Sequence, residues 1–212
     1  MTELLTVALP KGRSLRAVAP LLAKAGVNVD VVLADDRTLI RENRAAGVRF
    51  LLLKPDDVPT YVEYGSADLG VCGRDVLMER PCDIYQPLDF GVGRCRMVVA
   101  GVRGRPAPTG VPRVATKYPR CATEHFARIG VQAEVVFVQG SVELAPLVGL
   151  ADLVVDLVET GVTLEQNGLE VREEVADIST VLIANRAAYK LRQAQVRPFV
   201  AALRAAIGGR SG

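Results

Sequence analysis

The reading of this chain turns on Asp156-Leu157-Val158-Glu159-Thr160-Gly161-Val162-Thr163-Leu164. The apolar run Leu153-Val154-Val155 precedes it, and the polar, helix-competent Glu165-Gln166-Asn167 follows. That order predicts a strand end, a tight turn and a helix start, which is the junction of an α/β unit. The Thr-Gly-Val-Thr core has the parts of a phosphate cradle. Gly161 allows a sharp turn and a close approach of backbone to ligand. The N–H groups of an opening helix favour an anion. Thr160 and Thr163 add two hydroxyl donors. Asp156 and Glu159 stand beside this cradle, where carboxylates would repel a bare phosphate. They suit a ligand that also carries hydroxyl groups, as a ribose does, or a bridging Mg2+. The loop therefore points to a sugar phosphate, with phosphate on Thr160–Thr163 and ribose hydroxyls on Asp156 and Glu159. The plainer alternative is a solvated strand–helix turn begun by a capping threonine.

Working outward, the same strand–loop–helix alternation recurs. Leu4 to Leu9 reads as a strand, Pro10-Lys11-Gly12-Arg13 as a loop, and Ser14 can open a helix. Leu15, Val18, Leu21, Leu22 and Ala25 keep helical spacing up to Gly26, with Pro20 expected to kink the run. Strands are expected at 37–41, 49–53, 67–71, 82–88 and 95–102. A short helix capped by Asp56 or Asp57 is expected to reach Tyr64, with Gly65 ending it. After the proline- and glycine-rich loop from Arg103 to Gly110 a second series begins. It has strands at 113–116, 133–138 and 151–158, a helix at 119–129, and another from Ser141 to Leu147. Strands at 169–178 and 179–184 follow, then a helical tail from Ala187 to Ile207 interrupted at Pro198. The class is α/β. Composition breaks near Gly93 and Ser179, so two lobes are expected, the second inserted in the first: 1–93, 94–179, and 180–212 returning to lobe one.

Composition narrows the function. The 212 residues are half hydrophobic, enough to bury a full core. A net charge of +2 without a long basic run argues against nucleic acid as the main partner. Aromatic residues make up 5% and tryptophan is absent, so no platform for stacking single strands is expected. No apolar run has the length of a membrane span, and Met1-Thr2-Glu3 does not begin a signal peptide. Cys72, Cys82, Cys95 and Cys121 are widely spaced, and His125 is the one histidine, so a zinc site is not expected. Reduced thiols fit a cytoplasmic protein.

Other candidate residues each have a plain alternative. Lys11 and Arg13 can form an anion site with a helix N-terminus, or be ordinary surface charges on a turn. Gly73 permits a ligand to approach, and Asp75 accepts from an amino group or caps the next helix. Arg37 and Arg41 are polar interruptions of a strand, or bidentate phosphate ligands. Glu143 is a first-turn helix residue that suits the dipole. His125 lies in a helical pattern and reads as a surface or half-buried residue rather than a catalyst. No G-x-S-x-G, Walker A or G-x-G-x-x-G motif supports a hydrolase, P-loop or Rossmann reading.

Several segments recur in order along nearly the whole chain: Leu9-Pro10-Lys11-Gly12-Arg13, Asp57 to Gly65, Asp68 to Leu77, and Val114-Ala115-Thr116-Lys117-Tyr118-Pro119. They continue through Gly140-Ser141-Val142-Glu143-Leu144-Ala145-Pro146, Gly149 to Asp152, Asp156 to Leu164, Asn167-Gly168-Leu169, and Leu182 to Arg186. Together they resemble the ATP phosphoribosyltransferase family in its short form. Val162 is a departure, at a position where many members carry Arg or another residue and change is tolerated. The resemblance implies a two-lobed fold like the type II periplasmic binding proteins, with the active site in the interlobe cleft. It implies the first reaction of histidine biosynthesis: ATP plus phosphoribosyl pyrophosphate gives phosphoribosyl-ATP and pyrophosphate, with Mg2+ carried by substrate phosphates. Carried over to this chain, Asp156, Glu159, Thr160, Gly161, Val162 and Thr163 bind phosphoribosyl pyrophosphate. Lys11, Gly12, Arg13 and Arg37 face the pyrophosphate or the ATP phosphates, with Lys11, Arg13 and Arg37 as the catalytic cations. Gly73, Asp75 and Glu143 line the nucleotide. The implied assembly is a homodimer with a separate regulatory subunit resembling a histidyl-tRNA synthetase catalytic domain. Two rivals stand beside this: a non-catalytic solute-binding or sensor protein of the same fold, and a phosphoribosyltransferase for another base.

Overall fold

The computed structural model describes residues 4–34 and 36–209. Met1-Thr2-Glu3, Asp35 and the tail from Arg210 to Gly212 lie outside the described residues. The chain divides into two compact units, one of residues 1–77, 81–93 and 179–212, the other of 78–80 and 94–178. Against the expected boundaries, Ser179 belongs with the first unit. Its carbonyl accepts from the Arg74 N–H at 2.9 Å, and its hydroxyl donates to Asp89 at 2.7 Å. Residues 78–80 group with the second unit, where Glu79 accepts from the backbone N–H groups of Arg120 and Cys121.

The first unit is a six-stranded sheet in the order β2-β3-β1-β4-β11-β5. These strands are β1 (Leu5–Pro10), β2 (Ile40–Asn43), β3 (Val48–Leu53), β4 (Leu69–Gly73), β5 (Ile84–Asp89) and β11 (Thr180–Asn185). β1 is parallel to both of its neighbours, while β2, β5 and β11 each run antiparallel to theirs. Val7, Ala8 and Leu9 are fully buried. A central strand covered on both faces needs such a continuous apolar run rather than an alternating one. Helix α1 (Arg13–Lys24) and the C-terminal α8 (Gln193–Gly208) pack on one face through Leu15, Val18, Leu22, Val196, Val200 and Leu203. α3 (Val58–Glu63) covers the other face with Val58 and Val62.

Pro20 is expected to kink its run or mark a weak turn, and Pro198 to interrupt the tail helix; both lie inside continuous helices. Pro20 and Arg16, whose carbonyl loses a partner, are exposed, and so are Pro198 and Ala194. The released carbonyls belong to exposed residues, where water can take the place of the lost bond and the helix can continue. The tail breaks instead at Arg192, between α7 (Arg186–Leu191) and α8. There the Arg192 guanidinium donates to Asp68 at 2.5 Å and to the Leu4 carbonyl at 3.1 Å. Asp68 also accepts from the Thr6 N–H at 2.7 Å. A buried contact of this kind fixes where the chain turns, which local propensity does not encode. The expected strand at 37–41 begins only at Ile40, and a five-residue helix, α2 (Val29–Leu33), precedes it. Asp57 occupies an N-cap position without a side-chain capping bond.

The second unit is a five-stranded sheet in the order β10-β6-β9-β7-β8. It comprises β6 (Cys95–Val102), β7 (Arg113–Thr116), β8 (Glu134–Phe137), β9 (Leu153–Val158) and β10 (Leu169–Ile178). β7, β8 and β9 are mutually parallel, and β6 and β10 run antiparallel. Helix α5 (Pro119–Arg128) covers one face with Cys121, Ala122 and Phe126. The expected helix from Ser141 to Leu147 is only a 3-10 turn, Val142–Leu144. Pro146 cannot donate to Val142, so a longer α-helix loses a bond there. Among the described residues, no helix is long and apolar enough to cross a membrane.

Candidate active site

Each sheet has one edge where chemistry collects, and in each it is the carboxyl edge of the parallel strands. In the first unit β1, β3 and β4 end there, and β2 runs the other way, so it starts there. Lys11, Gly12 and Arg13 follow β1, and Gly73 and Asp75 close β4 and open α4 (Arg74–Glu79). Arg37 lies in the loop before β2, not on the strand that the sequence suggested. The Leu52 N–H donating to the Leu39 carbonyl at 2.8 Å fixes this loop at the same edge. β3 and β4 flank β1, and the chain reaches them in opposite senses, so the edge beside β1 is a topological switch point. Ligands of open α/β sheets bind at such points.

Lys11, Gly12 and Arg13 are exposed. Gly12 adopts φ 87° and ψ −140°, a region closed to side-chain-bearing residues. No side chain caps α1, so the first N–H groups of a twelve-residue helix open toward this loop. Asp75 is 9% exposed, and its carboxylate folds back over Gly73. A Cβ at Gly73 would lie 2.0 Å from Asp75 Oδ1, which explains the glycine. The Cys72 thiol beside them is pushed far up by burial and then by Asp75, so it is no nucleophile.

The second unit repeats the arrangement. β7, β8 and β9 end at one edge, and β9 and β8 flank β7, again a switch point. Glu159, Thr160 and Thr163 are exposed in the loop after β9, and Gly161 turns it at φ 86°. The helix that opens there, α6 (Val162–Gln166), has five residues. Its dipole is therefore small, and individual N–H groups and hydroxyls must do the work expected of a helix terminus. Val162 is half exposed. Glu143 stands after β8, next to Ser141. With φ 49°, Ser141 is the non-glycine residue with positive φ among the described residues. Asp156 is half-buried and accepts from the Leu157 N–H at 2.8 Å. Burial lifts its carboxyl above the usual range; the Leu157 N–H opposes this, Glu143 adds to it, and Lys117 opposes it. The two carboxylates thus feel one another, as the sequence reading could not tell.

Lys117 is the residue that the sequence reading passed over. It follows β7, half-buried, with its ammonium 5.7 Å from the centroid of the Tyr118 ring. Thr116 shapes this turn, donating to the Val155 carbonyl at 2.7 Å and accepting from the Tyr118 N–H at 2.8 Å. The available signal was positional: Lys117 follows its strand as Lys11 follows β1. His125, expected at or near the surface, is 2% exposed. It lies near the far end of α5, which leads into β8 at the opposite edge. Nδ1 is 3.0 Å from Arg128, Nε2 is 3.3 Å from Glu173, and the ring stands edge-on to Phe126. Arg41, weighed as a phosphate ligand, is also buried and turned inward.

One α/β sheet has a cationic edge and the other an edge of hydroxyls, carboxylates and a lysine, the groups whose chemistry suits phosphorylated sugars and nucleotides. Comparison with known proteins names the family. The sequence profile of the ATP phosphoribosyltransferase family matches residues 54–205. The ATP phosphoribosyltransferase of Sorangium cellulosum is 58% identical over 209 residues, covering 99% of each chain. ATP phosphoribosyltransferase 2 of Geobacter sulfurreducens is 47% identical, covering 96% of this chain and 98% of its own. A solved ATP phosphoribosyl transferase (HisG:HisZ) complex from Thermotoga maritima contains a chain that superimposes with a TM-score of 0.86 at 37% identity, over 99% of this chain and 100% of that one. The chain belongs to the ATP phosphoribosyltransferase family. Its activity is the first step of histidine biosynthesis, a pentosyl transfer from phosphoribosyl pyrophosphate to ATP.

Proposed function

We propose that the two strand edges divide the substrates of this transfer between them. The second unit takes the phosphoribosyl end: Thr160, Gly161, Val162 and Thr163 hold the 5-phosphate, and Asp156 and Glu159 hold the ribose hydroxyls. The first unit takes the charge of the departing pyrophosphate and of the ATP phosphates on Lys11, Gly12, Arg13 and Arg37. Gly73, Asp75 and Glu143 line the nucleotide. The observation that carries this reading is positional: every one of these residues lies at the carboxyl edge of parallel strands, beside a switch point of its own sheet. The finer fold reading goes with it, a type II periplasmic-binding-protein-like architecture.

Adenine N1 has a free lone pair at neutral pH and attacks C1′ of the ribose as the C1′–O bond to pyrophosphate breaks. The nucleophile needs no general base, and the buried His125 is unsuited to supply one. Catalysis then rests on alignment and on neutralising the leaving group. Bound Mg2+ supplies part of that neutralisation. Among the described residues no three His, Cys, Asp or Glu side chains gather as a metal cage. Mg2+ would be carried by the substrate phosphates, and an ion held that way needs only one or two carboxylates from a protein.

The same reading takes the chain as a cytoplasmic homodimer working with a separate regulatory subunit that resembles a histidyl-tRNA synthetase catalytic domain. In its favour are the HisG:HisZ complex of the Thermotoga maritima relative and four cysteines that carry no disulfide. Pyrophosphate release, measured with ATP and then with free purines and pyrimidines, tests the substrate. Release with ATP alone is expected; turnover of a free base would overturn the ATP assignment. Arg37→Ala is expected to lower kcat more than it weakens substrate binding. A normal kcat with only a raised KM would reduce Arg37 to a binding role.

A further inference from the structure

We infer that Arg41 is a positioning residue for the reaction: its buried guanidinium clamps the loop that presents Arg37, and Asp36 is the joint between them. The inference rests on the reading of Arg37 given above and adds what holds that residue in place.

Arg41 lies on β2, an edge strand, with its side chain turned toward the core and 7% exposed. An inward arginine on an edge strand serves in many proteins only to discourage edge-to-edge pairing. Here the guanidinium has a more specific set of partners. NH1 donates to the Val31 carbonyl at 2.9 Å. NH2 donates to the Ala34 carbonyl at 3.0 Å and to Asp36 Oδ1 at 2.6 Å. Val31 and Ala34 are at the carboxyl end of α2, whose last carbonyls have no partner within so short a helix. The same Asp36 Oδ1 accepts from the Thr38 N–H at 2.7 Å. Arg37 is thus the middle residue of a side-chain-closed turn, between the acid that closes it and the amide that it closes on. The Leu39 carbonyl, accepting from Leu52, holds the other end of the loop to β3.

The loop itself is exposed and buries no apolar side chain from Asp36 to Leu39. Packing therefore cannot fix it, and the hydrogen bonds to Arg41 must. A charge that stabilises a leaving group must be in place before the bond breaks, because reorganisation during the reaction removes its advantage. Arg41 provides that order from beneath, without reaching the substrate edge.

A double-mutant cycle tests this. Arg41→Met keeps the stem and removes the donors; it is expected to lower kcat about tenfold while leaving both KM values within about twofold. In the Arg37→Ala background the same change should cost less than about twofold, since the residue it positions is gone. Arg41→Lys should recover little, as one ammonium cannot span three acceptors. Asp36→Ala, at an exposed position that leaves the core intact, should reproduce the kcat loss with unchanged Tm, so a poorly folding Arg41 variant does not decide the matter. Amide exchange at Thr38 reads the clamp without reference to activity and should quicken in both single variants. Losses that multiply in the double variant, or a normal kcat for Asp36→Ala, would overturn the positioning role. Unchanged Thr38 exchange would overturn the clamp itself. A normal kcat for Arg37→Ala would instead remove the reading on which the inference rests.

Discussion

Asp156, proposed above to hold ribose hydroxyls, shows what a half-buried carboxylate costs its own fold. Its carboxyl is raised chiefly by burial, so the ionised form is held less comfortably in the native state than in the unfolded chain. The sign follows from linkage: the native state binds the proton more tightly, so this group's contribution to stability is greatest below the ordinary value of 3.8 and is lost as pH rises through the raised native value. Asp156→Asn keeps an oxygen to accept from Leu157 and removes the charge. It is expected to raise Tm at neutral pH, with the gain fading below about pH 4, while kcat/KM falls. Thermal unfolding across pH checks this; a lower Tm at neutral pH would contradict it. Thr160→Val removes one donor to the 5-phosphate at nearly constant shape. The expected loss in transition-state binding is about 1.5–3 kcal/mol, the range for a hydrogen bond to a charged group. Steady-state kinetics with phosphoribosyl pyrophosphate measure it, and an unchanged kcat/KM would remove Thr160 from the cradle.

Among elements, the β4–α4 junction is the tightest of the candidate positions. Gly73 has no room for a Cβ because Asp75 occupies the space. Gly73→Ala must push the Asp75 carboxylate out of its buried position, and overpacking of that kind costs about 1–3 kcal/mol. If Asp75 lines the nucleotide, KM for ATP rises while KM for phosphoribosyl pyrophosphate stays near its original value. Equal rises in both would place Asp75 outside the nucleotide site. The contrast with Gly12 is instructive: nothing lies within 4 Å of a Cβ there, and only its backbone angles demand glycine. One loop is restricted by a neighbour, the other by its own conformation.

For the molecule as a whole, regulation is the open consequence of the separate regulatory subunit proposed above. Feedback by histidine requires a site whose affinity differs between two states of the enzyme. The solved ATP phosphoribosyl transferase relative from Thermotoga maritima is a HisG:HisZ complex. On the proposed reading of a homodimer with a separate regulatory subunit, histidine is expected not to inhibit the isolated chain, and the regulatory partner is expected to confer inhibition. Calorimetry with histidine and assays with and without the partner decide it. Tight binding to this chain alone, accompanied by inhibition, would defeat the expectation.

The α/β alternation, the two series of strands and the candidate loops were legible in the residues because each depends on local chemistry. Continuous apolar runs such as Val7-Ala8-Leu9 mark buried strands, and Gly12 and Gly161 mark turns that other residues resist. Family resemblance across ordered segments then supplied the reaction. What the residues alone left undecided depends on contacts between distant positions. Pro198 looks like a helix breaker until its neighbours prove to be solvated, and Arg192 ends the helix only because Asp68 and Leu4 lie beneath it. Arg41 and Arg37 are alike as sequence, four positions apart and both able to hold a phosphate. Burial ties one to Val31, Ala34 and Asp36, exposure leaves the other open at the strand edge, and only the tertiary structure separates the two.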